Sequence, residues 1–166
     1  ADPPVWRRVL IPSAYSLDRV HSVIQATMGW ENSHLHAFRL RKVSYAAPHP
    51  DDEVGHLDET QFRFGDVVAG AGRIGYEYDF GDGWEHALVI EARTVAQADT
   101  TYPACIAGEG ACPPEDCGGS YGFAELKAVL AGPPSAERDE LAQWAGGDYD
   151  PGRFDLSAAN IAVAAV

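Results

Sequence analysis

The sequence predicts an α+β fold: a mainly antiparallel sheet, an N-terminal helix packed on it, and helices toward the C-terminus. Three observations carry this expectation. A strand pattern at the start runs directly into a helical pattern, a strong hairpin signal lies mid-chain, and the remaining helical patterns come only after residue 120. The 166 residues, 46% of them hydrophobic, suit one domain with its own core spanning residues 1–166.

Val5 to Ile11 reads as a strand ending at Pro12. Ser16 then has the chemistry of an N-cap, with Asp18 in the first turn where the helix dipole favours an acid. Leu17, Val20, Ile24 and Met28 follow at helical spacing, and Gly29 is a stop signal. His36 to Val43 alternates as a second strand, residues 46–60 form a long loop, and a further strand is expected through Gln61 to Val68. Tyr76 to Phe80 and Trp84 to Glu91 are joined by Gly-Asp-Gly, the hairpin signal. Residues 101–120 are rich in Gly, Pro and Cys and show no periodicity. Phe123, Leu126, Val129 and Leu130 then mark a helix stopped by Gly132-Pro133-Pro134. A second helix places Leu141 and Trp144 inward, and a last one starts near Asp155 and runs through Ile161.

Twelve Lys and Arg against 25 Asp and Glu give a formal charge of -13. Such a chain repels phosphate backbones, so a protein partner is expected in preference to a nucleic acid. No apolar run approaches a bilayer-spanning helix. The opening ADPPVWRR has neither an initiator Met nor an apolar signal core, which reads as a chain trimmed at its start and a cytoplasmic location.

The stretch Asp79 to His86, DFGDGWEH, admits two readings. In the first its glycines make the turn and its aromatics make core. With Phe80 facing Trp84, the register sets Asp79 opposite Glu85, and like charges so placed call for an Arg, a Lys or a metal. In the second, Asp79 and Asp82 belong to a hard-cation or carboxylate catalytic site. The letters DFG do not make a kinase, since no HRD loop is present, and Gly70, Gly72 and Gly75 precede a strand where a dinucleotide fingerprint needs a helix.

Cys105, Cys112 and Cys117 form a C-x6-C-x4-C array on a loop able to wrap an ion. Structural zinc takes four Cys or His ligands. The expected set is these three thiolates with His86, with His34 and His36 as alternatives for the fourth place. A disulfide between two of the three is the competing reading. Glu115 and Asp116 precede Gly118-Gly119 and a helix start, where acids are favourable through the dipole. They could equally meet Asp79 and Asp82 in one acidic pocket.

PPVWRRV, MGW followed by HLHAF, YEYDFGDGWEH, GEGACPPEDCGGSYGF and GDYDPGRFDL occur in this order from Pro3 to about Asn160. Together they resemble the plasmid pRiA4b ORF-3-like family, whose members are labelled passenger proteins of insertion elements. The resemblance implies an α+β domain and a mobile-element setting. It also implies an extended segment ahead of PPVWRR, so an edge strand is expected to be missing here or supplied differently. Two functions follow as expectations. The preferred one is a zinc-stabilised interaction module closed by the cysteines and one His. The other is a metal-dependent hydrolase, acting on a phosphoester or amide, built on Asp79, Asp82, Glu115 and Asp116 with His86 as acid–base group, and with one ligand position open to water.

Overall fold

The computed structural model describes residues 3–166. The chain runs β1 (Trp6–Leu10), α1 (Leu17–Met28), β2 (His36–Leu40), β3 (Val43–Ala46), β4 (Leu57–Asp58), a 3-10 turn (Glu59–Gln61), α2 (Phe64–Val67), β5 (Arg73–Tyr78), β6 (Trp84–Val89), β7 (Ala104–Glu109), α3 (Gly119–Ala131), α4 (Ala136–Trp144) and α5 (Leu156–Val163). A five-stranded sheet has the order β4-β3-β2-β5-β6, and β1 pairs with β7 as a separate ribbon. All pairs are antiparallel except β3 with β4. The fold is α+β, as the sequence pattern implies.

α1 starts and stops where its sequence signals fall. Gly29 takes φ 104 and closes the last turn onto the Gln25 carbonyl. Ser16 has the extended N-cap geometry but makes no side-chain cap; the Leu17 amide donates instead to the Phe62 carbonyl. Leu17 and Val20 pack with Phe38, Ile74, Tyr76 and Tyr78 of the sheet. Val23 is also fully buried, because α5 packs on α1 and on β7.

Three strand expectations change. His36 to Val43 is two strands: Arg41 at φ 56 turns the chain between β2 and β3. Alternation continues across so tight a turn, so the pattern alone does not reveal it. In place of a strand stand the 3-10 turn Glu59–Gln61 and α2, with Arg63 between them in a single antiparallel bridge to Ser16. Here the Phe64 and Gly65 amides donate to the Tyr15 and Ser13 carbonyls, tertiary bonds that local propensity does not register. β7 arises in the Cys-rich segment, whose alternation is masked by Gly and small residues. Trp144, expected inward, is 52% exposed.

The hairpin forms with a longer turn than expected. Tyr78 faces Trp84, Tyr76 faces His86 and Glu77 faces Glu85, so the turn holds Asp79 to Gly83. The register differs from the expected one by two residues, which preserves the faces and keeps the aromatics together. Glu77 takes the place of Asp79 opposite Glu85, and the cation called for there is Arg39, 2.6 Å from Glu77.

Beneath the sheet lies a buried polar circuit. Asn32 Oδ1 can only accept, so His21 Nε2–H donates to it at 2.8 Å. His21 Nδ1 therefore accepts from the Tyr76 hydroxyl at 2.8 Å, and Gln25 Nε2 donates to the same hydroxyl. The His36 ring stacks on His21, centroids 3.5 Å apart, and bonds Glu59 through Nε2 at 2.7 Å.

Candidate functional site

Asp79 leaves β5 at φ 57, a conformation that an L residue other than Asn or Asp seldom adopts. The turn is organised by its own carboxylate: Asp79 Oδ1 accepts the Gly81 amide at 3.0 Å, and the Asp79 carbonyl accepts the Gly83 amide. The second oxygen, Oδ2, points toward His34 Nε2, 3.6 Å away. The side chain is 90% buried, since 10% of it is exposed.

Glu115 and Asp116 arrive from the loop before α3. Asp116 also has positive φ, 56, and its Oδ1 lies 3.0 Å from His34 Nε2. Glu115 Oε2 is 3.8 Å from the same nitrogen. The approach of Asp116 lacks the alignment of a hydrogen bond, so His34 Nε2 and Glu115 Oε2 are both buried without one. His34, Asp79 and Asp116 offer ligand atoms within 4.8 Å of one another.

The loop bearing His34 is strapped in place by side chains. The Glu31 amide donates to Glu115 Oε1 at 2.8 Å, the Asn32 amide to Gln25 Oε1 at 2.8 Å, and the Ser33 amide to the Tyr78 hydroxyl at 2.9 Å. That hydroxyl in turn donates to Glu115 Oε1 at 3.0 Å. Burial, and then the bond to Glu115, push Tyr78 up to about 12, so it stays a donor at any ordinary pH. Asp82 ties the two loops together, its Oδ2 accepting the Gly118 amide at 3.1 Å.

Chemically, one imidazole and two carboxylates suit a divalent cation of intermediate hardness. Asp116 is 74% exposed through its side chain, which leaves the cluster one face toward water. Glu115 has one oxygen fixed and the other buried without a hydrogen bond.

The expected cysteine set is not gathered with its histidine. Cys105 lies buried in β7, its backbone bracketed by Asn160 and its thiol donating to the Ala107 carbonyl at 3.5 Å. Burial raises the thiols of Cys112 and Cys117, Cys117 to about 11 with help from the nearby carboxylates. All three cysteines are free thiols, so no disulfide staples the loop. His86 has both nitrogens engaged: Nε2 accepts from the Trp30 indole at 3.2 Å and Nδ1–H donates to the Trp84 carbonyl at 2.9 Å. Burial lowers it, keeping it neutral and structural. His36 belongs to the core circuit. Of the expected acids, Asp79, Glu115 and Asp116 do converge, with His34 Nε2 among them.

A family model described as plasmid pRiA4b ORF-3-like protein matches residues 1–158. This chain belongs to the plasmid pRiA4b ORF-3-like family. The site's segments, around His34, Asp79 and Glu115-Asp116, all fall within the family match. The chain is 41% identical over 165 residues to uncharacterized protein y4hQ of Sinorhizobium fredii, covering 98% of this chain and 84% of that protein. It also resembles the crystal structure of a protein of unknown function, MM3350 from Methanosarcina mazei Go1. That likeness has a TM-score of 0.87 at 31% identity, covering 95% of this chain and 90% of that one.

What sequence reasoning missed is the strap. Gln25, Glu31, Asn32 and Tyr78 look like helix, loop and core residues, and only the fold makes them holders of the site. Tyr78→Phe removes the bond to Glu115 and the acceptor of the Ser33 amide. It is expected to weaken cation binding about 10-fold while leaving the domain folded, as measured by calorimetric titration with manganese.

Proposed function

We propose that the chain binds one divalent cation between His34 Nε2, Asp79 and Asp116, with Glu115 alongside, and that it works through that ion. The observation carrying this reading is the convergence of three ligand atoms within 4.8 Å from three separate segments, both aspartates being held at positive φ. Such a backbone costs on the order of 1 kcal/mol or more at each residue, and persists only where its surroundings impose it. Zinc and manganese both accept an imidazole with carboxylates. A partly exposed ligand set favours an ion that keeps a water over a closed structural site, and so favours the hydrolase reading over the cysteine-closed module.

Metal-stripped protein titrated with zinc or manganese is expected to take up one ion per chain. His34→Ala should weaken that binding by roughly 100-fold, more than the loss of a supporting hydrogen bond would. Cys112→Ser should leave it in place. Undiminished binding in the His34 variant, or its loss in the Cys112 variant, would move the ion away from this site.

A further inference from the structure

Resting on the cation reading above, we infer that the site hydrolyses amides, taking a neutral or cationic peptide-like substrate, and that Glu115 is the base for its water.

Charge decides between amide and phosphoester. Three carboxylates around one divalent ion leave the centre with about one negative charge when His34 is neutral. Asp82 sits in the adjoining turn, and the whole chain carries -13. Asp79, Glu115 and Asp116 each face His34 Nε2, at 3.6, 3.8 and 3.0 Å. Arg39, on β2 beside β5, is committed to Glu77. Phosphoryl-transfer centres place Arg, Lys or a second metal on the developing negative charge. An amide carbonyl needs only the ion's polarisation and a nucleophile.

Glu115 has the geometry of a base. Its Oε1 is fixed by the Glu31 amide and the Tyr78 hydroxyl, and its Oε2 is buried, unpartnered and 3.8 Å from His34 Nε2. Water on the ion would give a proton to Oε2 as its oxygen bonds the carbonyl carbon. Collapse then breaks the C–N bond, and the same proton passes to the leaving nitrogen, giving a carboxylic acid and an amine. Leu35 and Phe80, which directly follow His34 and Asp79, are exposed, as is Tyr121 at the start of α3.

The test offers zinc- or manganese-loaded protein a quenched-fluorescence peptide library, bis-p-nitrophenyl phosphate, and a peptide hydroxamate as a binding probe. Peptide cleavage is expected, with no phosphodiester cleavage, and the hydroxamate should bind the loaded protein but not the stripped one. Glu115→Gln should lower turnover by about 100-fold or more while retaining the ion and the hydroxamate. Phosphodiester cleavage alone, peptide turnover unchanged in the Glu115 variant, or a loaded protein that neither cleaves peptide nor binds hydroxamate each overturns the inference. A chain that takes up no cation sinks the underlying reading as well, so the two failures are told apart by the titration.

Discussion

Gly119→Ala is expected to abolish cation binding and to lower unfolding stability by roughly 3 kcal/mol or more. Gly119 has φ 65, and a Cβ there would stand 2.5 Å from the carbonyl oxygen of Asp82. The obstacle is backbone, so no side chain can swing aside. The glycine thus lets the start of α3 dock on the hairpin turn, where Asp82 Oδ2 also holds the Gly118 amide. Forcing the two apart separates Asp79, at the base of the turn, from Asp116, three residues before the glycine. Gly147→Ala is the comparison that isolates the close approach. It has φ 83 but open space around its Cβ, so it should cost about 1 kcal/mol and leave binding intact. Urea denaturation and cation titration of both variants check this. Equal behaviour of the two would mean that docking of α3 on the turn does not hold the site together.

The second large effect is acid lability. Burial, reinforced by the neighbouring His36, lowers His21 from its ordinary value of 6.5 to about 4. The folded protein therefore refuses a proton that the unfolded chain accepts. Stability from this group is fully present above pH 6.5 and is lost as the pH falls toward 4, a span worth about 3 kcal/mol. The cause is visible in the circuit. A proton on Nδ1 would face the Tyr76 hydroxyl, which already accepts from Gln25 and would lose the acceptor for its own hydrogen. Because Asn32 hangs from the same ring, loosening His21 also frees the loop that presents His34. Urea midpoints at pH 7, 6, 5 and 4 should fall steadily in the native chain. They should fall less in His21→Gln, which starts lower but has no proton to take up. A flat profile in the native chain would remove His21 from the account.

Much of the fold was legible because its signals are local. α1 follows from apolar spacing and a closing glycine, and the aromatic hairpin follows from alternation around Gly-Asp-Gly. β7 and α2 were not, because each depends on a distant partner: β7 on β1, and the first residues of α2 on the carbonyls of Ser13 and Tyr15. The acids of the site were legible as residue types that need company, and Asp79, Glu115 and Asp116 do find it. Which histidine joins them was not. His34, His36 and His86 are alike as letters. His86 is consumed by Trp30 and Trp84, His36 by Glu59, and only His34 is left with a nitrogen facing carboxylates without a bond. The cysteine spacing suggested an ion because spacing carries no information about strand pairing, and pairing takes Cys105 into β7.

The ribbon of β1 and β7 has a bearing on how the molecule assembles. Trp6 meets Glu109 and Leu10 meets Ala104, contacts that close a loop of roughly a hundred residues, whereas β5 and β6 meet across a short turn. The hairpin should thus be an early event in folding and the ribbon a late one. Glu115 and Asp116 follow β7 by only a few residues, so their half of the cluster is brought to Asp79 near the end of the process. A chain still emerging from synthesis would present Asp79 and His34 long before it could hold an ion between them. Cation binding would then act as a lock on the finished molecule, slowing its unfolding with little influence on the rate at which it folds.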